Sequence, residues 1–391
     1  SRRKETVNNN TRHYIALTQI ENVGMARIGR LLSEFGSIEA VFAASGHDVA
    51  HFLSASFGKR VGAFDREKVL DRADAIIEDA NARGIAIVTI DDGHYPFNLK
   101  NIDSPPAVLY VRGDITNLSR NAVGLVGTRK PSETSQRYAF TTASNLAALN
   151  IWVISGLAKG IDAAAHWGAV STSGTTVGVL GSGQDTIYPA ENAALYEKIV
   201  DKGGVIMTEY PVGTRPLKHH YPLRNRIISG LSYGIVVVEA GGKSGALITA
   251  RYALDQGREV FIGPYKETDE RAFGNHRLAR DGAKTAHTHE DIVAEFANLF
   301  ALDATYRAMR PRFAAAAKAM PAKQTSQVEN APVPELSERE ESIYRAIGEA
   351  KHIDDIAVSA NMPVNEAASL LMQMEIKGAV KQNPGKYFVR N

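Results

Sequence analysis

The sequence predicts an α/β protein with a Rossmann-like parallel-sheet core, flanked by an N-terminal helical domain and a C-terminal winged helix. The main observation is that apolar, β-branched runs alternate with amphipathic stretches over residues 84–300. Residues 11–80 instead show helical apolar spacing, and residues 336–391 combine helical stretches with a final hairpin pattern. Strands that are apolar almost throughout, separated by helices, are typical of a parallel sheet covered on both faces.

The predicted N-terminal domain, residues 11–80, consists of short helices whose apolar residues recur at helical spacing between Ile15 and Phe35. The segment Glu21-Asn22-Val23-Gly24 is similar to the hairpin of SAM- and helix-hairpin-helix-like modules. Backbone N–H groups of such hairpins bind phosphate. A plain helical packing domain explains the same spacing, so both interpretations stay open.

Residues 84–300 are predicted to form the Rossmann-like domain, because strand-like and helix-like segments alternate there. The predicted strands cover Ile85–Ile90, Ala107–Val111, Ala122–Val126, Ile151–Ile154, Thr176–Leu180, Val205–Thr208, Ile235–Val238 and Glu259–Ile262. The predicted helices cover Ser135–Leu149, Ile161–Val170, Glu191–Val200, Gly245–Gln256 and Asp291–Leu299. Residues 301–335 carry few large apolar side chains and are predicted to be a linker.

The predicted winged helix, residues 336–391, begins with a capping box formed by Ser337 and Glu340. Two further helices follow, and the turn Asn383-Pro384-Gly385 joins a two-stranded hairpin. DNA-reading winged helices need basic or amide side chains at the start of the third helix. Here Pro363–Ala368 carry one acid and no base, which favours a protein-contacting or structural role over DNA reading.

Composition and charge exclude several classes of protein. The 391 residues include no cysteine, which excludes disulfides, zinc–thiolate sites and thiol catalysis. No apolar run approaches the roughly 18 residues of a membrane span, and no signal peptide is recognisable, so we expect a cytoplasmic protein. The net charge is only +2, but Tyr210–Val238 contains four Lys or Arg residues and no acid, which predicts a basic surface in the middle of the chain.

Glycine-rich loops follow four of the predicted strands, and each of them leads into a helix. They are Gly127-Thr128-Arg129-Lys130, Ser155–Asp162, Gly181-Ser182-Gly183 and Glu239–Gly245. In a doubly wound sheet, ligands bind beyond the carboxyl ends of the strands, where glycine N–H groups and helix N-termini attract anions. With Arg129, Lys159 and Lys243 interleaved, the loops predict an anion-binding edge. The steric demands of tight turns are the alternative explanation of the glycines.

Nucleotide and catalytic motifs fit this chain poorly. Gly242-Lys243-Ser244 resembles the end of a Walker A loop, but Val237 replaces the earlier glycine. Gly181-Ser182-Gly183 begins like a dinucleotide fingerprint and lacks its third glycine. The chain has no G-x-S-x-G nucleophile elbow, and His287 and His289 have no further metal ligands nearby. We therefore expect no catalytic residue, no cofactor and no metal ion.

The segment 215–229 combines bases, an amide and an aromatic residue. Arginine binds phosphate through paired N–H groups, and an aromatic ring can stack on a base. Alternatively, Arg224 or Arg226 forms a buried ion pair with Glu209 or Glu239. We expect one of the two arginines to be structural.

Several linked motifs occur in a fixed order along the chain. They are Val126-Gly127-Thr128-Arg129, Ser155–Asp162 with His166, Tyr188-Pro189, Arg224–Gly230, and Glu239-Ala240 with Ser244-Gly245 and Thr249. Together they resemble the DNA-processing protein A (DprA/Smf) family, and the similarity is dense over about residues 95–285. One departure is Gly263-Pro264, where the family usually has Pro-Gly.

The resemblance implies a protein that binds and protects single-stranded DNA and loads the RecA recombinase during natural transformation, as a homodimer formed through the Rossmann domain. Phosphate-contacting positions of the family carry over to Arg129, Ser155, Gly156, Lys159 and Gly160, and to Arg226 and Lys243. The loops and segment 215–229 add Gly127, Thr128, Arg224, Asn225, Ser244 and Gly245 as candidates. Structural roles are expected for Glu239 and for Asp162 and His166, which lie four residues apart on a predicted helix and can share an orienting hydrogen bond.

Two other functions stay open. The Rossmann domain also resembles lysine-decarboxylase-like nucleotide phosphoribohydrolases, whose sites hold a Gly-Gly-x-Gly-Thr loop and a catalytic Glu. The nearest match, Gly241–Gly245 after Glu239, has poorly fitting glycine spacing. A transcription factor that uses the winged helix would prefer duplex DNA, and the base-free third helix argues against it.

Overall fold

The computed structural model describes residues 9–20, 23–57, 64–172, 174–300, 336–347, 351–360, 362–377, 379–383 and 387–390. The chain separates into two compact units, with the division between residues 309 and 310. The predicted linker, residues 301–335, lies outside the described residues, as do Glu21, Asn22 and most of the predicted turn, Pro384 and Gly385.

The first unit is built around a nine-stranded sheet. Its strands are β1 (Ala86–Thr89), β2 (Val108–Arg112), β3 (Ala122–Val126), β4 (Trp152–Ser155), β5 (Thr176–Val179), β6 (Val205–Thr208), β7 (Gly234–Val237), β8 (Glu259–Ile262) and β9 (Lys284–Thr285). Their order in the sheet is β1-β2-β6-β5-β4-β3-β7-β8-β9. Strands β3 to β7 are buried along their whole length, as expected of a sheet with helices on both faces.

Helices precede the sheet and form most connections between its strands. They are α1 (Asn9–Thr18), α2 (Met25–Phe35), α3 (Ile38–Ala43), α4 (Gly46–Phe57), α5 (Arg66–Ala82), α6 (Phe97–Lys100), α7 (Glu133–Ala148), α8 (Ile161–Thr172), α9 (Ala193–Asp201), α10 (His220–Leu231), α11 (Ala246–Asp255), α12 (Phe273–Arg280), α13 (His289–Glu295) and α14 (Ala297–Phe300). Short 3-10 helices cover Ile115–Ser119, Ala190–Asn192 and Glu270–Ala272. In the part of the chain that the structure describes, no helix combines the length and apolar character needed to cross a membrane.

The sheet is parallel from β6 to β9 and antiparallel at its other edge. Strand β1 pairs antiparallel with β2, and β2 pairs antiparallel with β6. The predicted parallel sheet is therefore confirmed for the core and corrected at β1 and β2. An apolar run locates a buried strand but carries no information about its direction.

Helix α10 is absent from the predicted helices. Pro222 is its third residue, and backbone N–H groups in the first turn of a helix have no intrahelical acceptor. Proline therefore costs no hydrogen bond at this position, although the same residue reads as a helix breaker in the sequence.

Helices α1 to α5 pack on the antiparallel edge of the sheet. One apolar core joins Leu17 and Ile28 to Tyr110 of β2. The Tyr14 hydroxyl also donates a hydrogen bond to the carboxylate of Asp91, which follows β1. These helices thus share a core with β2, and the domain boundary between residues 80 and 84 stays a prediction.

The second unit has the predicted winged-helix fold. Its helices are α15 (Glu338–Ala346), α16 (Ile353–Ser359) and α17 (Val364–Ile376), and its strands β10 (Lys351–His352), β11 (Val380–Asn383) and β12 (Tyr387–Arg390) pair in the order β10-β12-β11. The predicted capping box is present, because the Glu340 carboxylate accepts the Ser337 N–H at 2.8 Å and the Ser337 hydroxyl accepts the Glu340 N–H. Glu366, in the first turn of α17, forms an ion pair with Arg339.

Candidate nucleic-acid interface

A cavity of about 880 Å³ opens at the carboxyl ends of β3 and β7. These strands are neighbours, but the chain continues from β3 toward β4 on one side and from β7 toward β8 on the other. This is the topological switch point, where doubly wound proteins bind ligands. Of the residues predicted from the sequence, this switch-point cavity is lined by Gly127, Thr128, Arg129, Asp162, Arg224, Asn225, Lys243, Ser244 and Gly245.

The rim of the cavity is cationic. Arg129, Lys218 and Lys243 border it with exposed side chains. Among the described residues that line the cavity, Asp162 is the single acid, and it is buried. A polyanion would therefore meet three surface cations with little competing negative charge.

Tyr221 forms an aromatic wall of the cavity. The guanidinium carbon of Arg129 lies 5.8 Å from the centroid of the Tyr221 ring, and the ring of Tyr188 lies 5.9 Å from it. Behind the ring, a Cβ added at Gly181 would lie 3.2 Å from Tyr221, so the third glycine-rich loop supports the ring instead of lining the cavity. An aromatic ring beside an arginine is suited to stacking on a base.

The loop before α11 forms the opposite wall, from Gly241 to Gly245. The side-chain amide of Asn225 on α10 donates to the Gly245 carbonyl at 3.5 Å, and the Ser244 hydroxyl accepts the Ala246 N–H at 3.3 Å. Lys243 is thus carried at the N-terminus of a ten-residue helix, where the helix dipole adds to its attraction for anions.

Arg224 lies beneath the cavity and is buried. Its guanidinium donates to the carbonyl of Gly156 at 2.8 Å and to the carbonyl of Val179. A Cβ at Gly156 would lie 2.4 Å from the Arg224 Nη1 atom, so any other residue there displaces the guanidinium. Burial lowers the pKa of Arg224, and the negative charge of Asp162 opposes that shift. Arg224 therefore ties α10 to the β4 and β5 loops.

Ser155 and Gly156 direct their hydrogen-bonding groups into the protein. The Ser155 hydroxyl donates to the Leu125 carbonyl at 2.6 Å, and the Gly156 N–H donates to the Asp162 carboxylate at 3.1 Å. Burial raises the pKa of Asp162, while the nearby charge of Arg224 opposes the rise. The structure thus places Ser155 and Gly156 in the framework and not in the cavity lining, because their donors already have internal acceptors.

Lys159 and Gly160 lie at the margin of the cavity. The Lys159 ammonium is half exposed and forms an ion pair with Glu191. Gly160 has a φ of +79°, and a Cβ there would lie 2.4 Å from the Thr128 carbonyl oxygen. Gly160 is therefore needed for the close contact between this loop and the Thr128–Arg129 loop.

Arg226 forms the buried ion pair that the sequence offered as an alternative to phosphate binding. Its two terminal nitrogens donate to the Glu209 carboxylate at 2.8 and 2.7 Å. Both side chains are largely buried, with exposed fractions of 12% and 17%. Arg226 is thus corrected from a candidate phosphate contact to a structural residue, since its charge is already matched.

Glu239 is buried and does not line the cavity. Its carboxylate accepts the Ser132 hydroxyl at 2.5 Å and the Ser132 N–H at 3.1 Å. Its carbonyl accepts the Thr128 N–H at 2.7 Å. A carboxylate held in this way lacks the access to substrate that a catalytic glutamate of a phosphoribohydrolase requires.

His166 bonds to Thr176, and not to Asp162 as expected. The Thr176 hydroxyl donates to the Val153 carbonyl at 2.7 Å, so its oxygen must accept from His166 Nδ1, also at 2.7 Å. This assigns the proton of the neutral ring to Nδ1 and leaves the buried Nε2 without a partner among the described atoms. Burial lowers the pKa of His166 to about 3.

Sequence reasoning did not single out Tyr188 or Ile248 as cavity residues, although both line the cavity. Lys218 was noted only as part of a basic segment. Tyr188 precedes Pro189 in one of the linked motifs, and that motif could have indicated Tyr188 as a site residue. Nothing in the periodicity of α11 distinguishes the exposed Ile248 from a core residue.

The described residues contain no cluster of His, Cys, Asp or Glu that could hold a metal ion.

Comparison with known proteins agrees with the motifs. The sequence matches the family described as DNA recombination-mediator protein A over residues 86–297 and the DprA winged helix domain over residues 327–386. Protein Smf of Synechocystis sp. PCC 6803 is 31% identical over 411 residues, which cover 98% of this chain and 99% of that protein. DNA processing protein DprA of Bacillus subtilis is 42% identical over 214 residues, or 54% of this chain and 72% of that protein.

A solved structure supports the same assignment. The X-ray structure of DNA processing protein A from Streptococcus pneumoniae superimposes with a TM-score of 0.60 at 30% identity, covering 74% of this chain and 98% of that one. The matched family spans the sheet and both walls of the switch-point cavity. The chain therefore belongs to the DNA recombination-mediator protein A (DprA/Smf) family.

Proposed function

We propose that this chain binds single-stranded DNA at the switch-point cavity. The observation that carries the proposal is the convergence of three exposed cations and the Tyr221 ring on one cavity. Cations follow a sugar–phosphate backbone, and aromatic rings stack on unpaired bases with little regard to sequence. A duplex hides the faces of its bases, so a single strand is the expected ligand.

Direct phosphate contacts are assigned to Arg129, Lys218 and Lys243, and to the backbone N–H of Gly245. The N–H of Ser244 donates to the Gly241 carbonyl, so Ser244 shapes the loop. Gly127, Thr128 and Asn225 shape the same cavity. Ser155, Gly156, Asp162, His166, Arg224, Arg226 and Glu239 act as supporting framework. Lys159 joins the contacts when a phosphate displaces Glu191 from its ammonium.

The proposed role is binding without catalysis. The phosphoribohydrolase alternative is disfavoured because the Glu239 carboxylate is engaged by Ser132. Incubation with nucleoside monophosphates should release no ribose 5-phosphate. Turnover that disappears in Glu239→Gln would overturn this part of the proposal.

Further properties follow from family membership and are proposed with it: protection of incoming strands and loading of RecA in the cytoplasm, by a homodimer formed through the Rossmann domain. Sedimentation equilibrium tests the dimer, which predicts twice the 42.3 kDa chain mass. RecA loading predicts a shorter lag in DNA-dependent ATP hydrolysis by RecA when this protein is added.

The binding test is fluorescence anisotropy of labelled oligothymidine and of a duplex of equal length over a salt series. We expect a strong preference for the single strand and affinity that falls steeply with salt, because bound phosphates release counterions. Equal affinity for the duplex, or no binding, would contradict the proposal.

A further inference from the structure

A second groove, of about 590 Å³, lies between α7 and α8. Its aromatic walls are Phe140 on α7 and Trp167 on α8. Their exposed fractions are 40% and 41%, so two large rings stand in solvent on neighbouring helices. Single exposed apolar residues are common on protein surfaces, but a pair lining one groove is not explained by the fold.

Small residues bring the two helices together beside these rings. Gly168 leaves no room for a larger residue, because an added Cβ would lie 2.2 Å from the Phe140 carbonyl oxygen. Ala163 and Ala164 line the groove between the rings. The aromatic groove is therefore a fixed apolar surface, with a width set by backbone contact.

The aromatic groove adjoins the rim of the switch-point cavity. Gly160 lines the groove and packs against the carbonyl of Thr128, which lines the cavity. Phe140 is the eighth residue of α7 and Trp167 the seventh of α8. At 1.5 Å rise per residue the rings lie about 10 Å from the helix N-termini, the span of about three stacked nucleotides.

We propose that the aromatic groove is a second stacking subsite for the same DNA strand, holding a base about three nucleotides beyond the phosphate at Arg129. The inference rests on the proposed function, because it needs a single strand in the cavity. Continuity with the cationic rim at Arg129 favours DNA over a protein occupant. Arg137 in the groove forms an ion pair with Glu133 at 3.6 Å, and both groups are largely exposed. A phosphate can displace Glu133, because exposed ion pairs contribute little stability.

Tryptophan fluorescence tests this subsite directly. The chain has two tryptophans, and Trp152 is buried in β4, so a change in emission on adding oligothymidine reports on Trp167. A strand of about 16 nucleotides should quench the emission, and one of about 2, which is shorter than the span from Arg129 to the groove, should not reach the ring. Trp167→Phe should abolish the quenching while anisotropy still shows binding.

Affinity provides the second readout. The double variant with Phe140→Ala and Trp167→Ala should bind the long strand about tenfold more weakly, because the stacked base loses both rings. It should bind the short strand as tightly as the wild type does. Phe97→Ala is the matched control, because Phe97 is exposed and lines neither the cavity nor the groove.

Three results would overturn the inference. If wild-type emission does not change on adding oligothymidine, and the double variant binds as tightly as the wild type, the groove is not a stacking subsite. Binding of oligothymidine by the wild type would still support the proposed function. A wild type that binds no oligothymidine would remove both. Trp167 emission that changes on dilution without DNA would assign the groove to a second copy of the chain.

Discussion

The carboxylate of Glu239 holds Ser132 at two points, the hydroxyl at 2.5 Å and the backbone N–H at 3.1 Å. Glu239 follows β7, and Ser132 is the N-cap of α7. The contact therefore joins the two loops that flank the switch-point cavity. The backbone carbonyl of Glu239 also accepts the Thr128 N–H, so Arg129 lies between two residues, Thr128 and Ser132, that are hydrogen-bonded to Glu239.

Replacing Glu239 with alanine should weaken both the fold and the DNA contact. The substitution leaves the Ser132 N–H without its acceptor in a part-buried position, which costs about 2 kcal/mol of unfolding free energy. Urea unfolding and oligothymidine anisotropy measure the two effects. Glu239→Gln retains an acceptor and should recover most of both. A Glu239→Ala variant as stable and as tight as the wild type would contradict this account of the loops.

Tyr221 should act through its ring and not through its hydroxyl. The hydroxyl is buried and has no hydrogen-bond partner among the described atoms, so Tyr221→Phe removes an unsatisfied group and should leave affinity unchanged. Tyr221→Ala removes the stacking surface and should weaken oligothymidine binding about tenfold. Anisotropy of labelled oligothymidine with each variant measures these two affinities. Equal losses in the two variants would show that the hydroxyl, and not stacking, makes the contact.

Glu191 should restrain Lys159 in the free protein. Their ion pair is half exposed on both sides, so it contributes little stability but competes with phosphate for the ammonium. Glu191→Gln should tighten oligothymidine binding by about threefold, and Lys159→Ala should cancel that gain in the double variant. If Glu191→Gln still tightens oligothymidine binding in the Lys159→Ala background, the gain comes from removing a negative charge in general and not from releasing Lys159.

His166 should make the first unit sensitive to mild acid. Its folded pKa is lowered to about 3 by burial, whereas the unfolded side chain has the ordinary value near 6.5. The unfolded state therefore takes up a proton first, and the stability present above pH of about 6.5 is lost as the pH falls toward about 3. His166→Asn can keep the bond to Thr176 without titrating, so its stability should fall less steeply.

Urea unfolding followed by fluorescence at several pH values checks this prediction. Wild type should lose about 2 kcal/mol more than His166→Asn between pH of about 6.5 and 5. Parallel stability curves for the two proteins would show that another group controls the acid sensitivity.

The position of the cavity could be predicted from the sequence because its determinants are local. Glycine-rich loops after apolar runs identify the strand ends, and the doubly wound connection makes such loops converge. Arg129, Lys243 and Gly245 were found in this way, and the structure brings them to one cavity. The capping box at Ser337 was equally local, since both partners lie within one turn.

The partners of buried polar groups could not be predicted, because they depend on tertiary contacts. Gly156 reads as a phosphate-binding glycine, but its N–H is taken by Asp162. The sequence offered Glu209 and Glu239 as partners of Arg224 or Arg226 without choosing among them, and the structure pairs Arg226 with Glu209. His166 is hydrogen-bonded to Thr176 on β5 and not to Asp162 on its own helix. Spacing along the chain is compatible with several such pairings, and tertiary packing determines which of them forms.

The most direct test compares Arg129→Ala with Arg83→Ala in oligothymidine binding over a salt series. Arg129 borders the cavity, whereas Arg83 is an exposed arginine at the β1 edge of the sheet and pairs with Asp79. Arg129→Ala should bind about tenfold more weakly, and its salt slope should shrink by about 0.7 for the lost phosphate contact. Arg83→Ala should match the wild type. Equal affinity and equal salt slope in the two variants would contradict single-strand binding at the switch-point cavity.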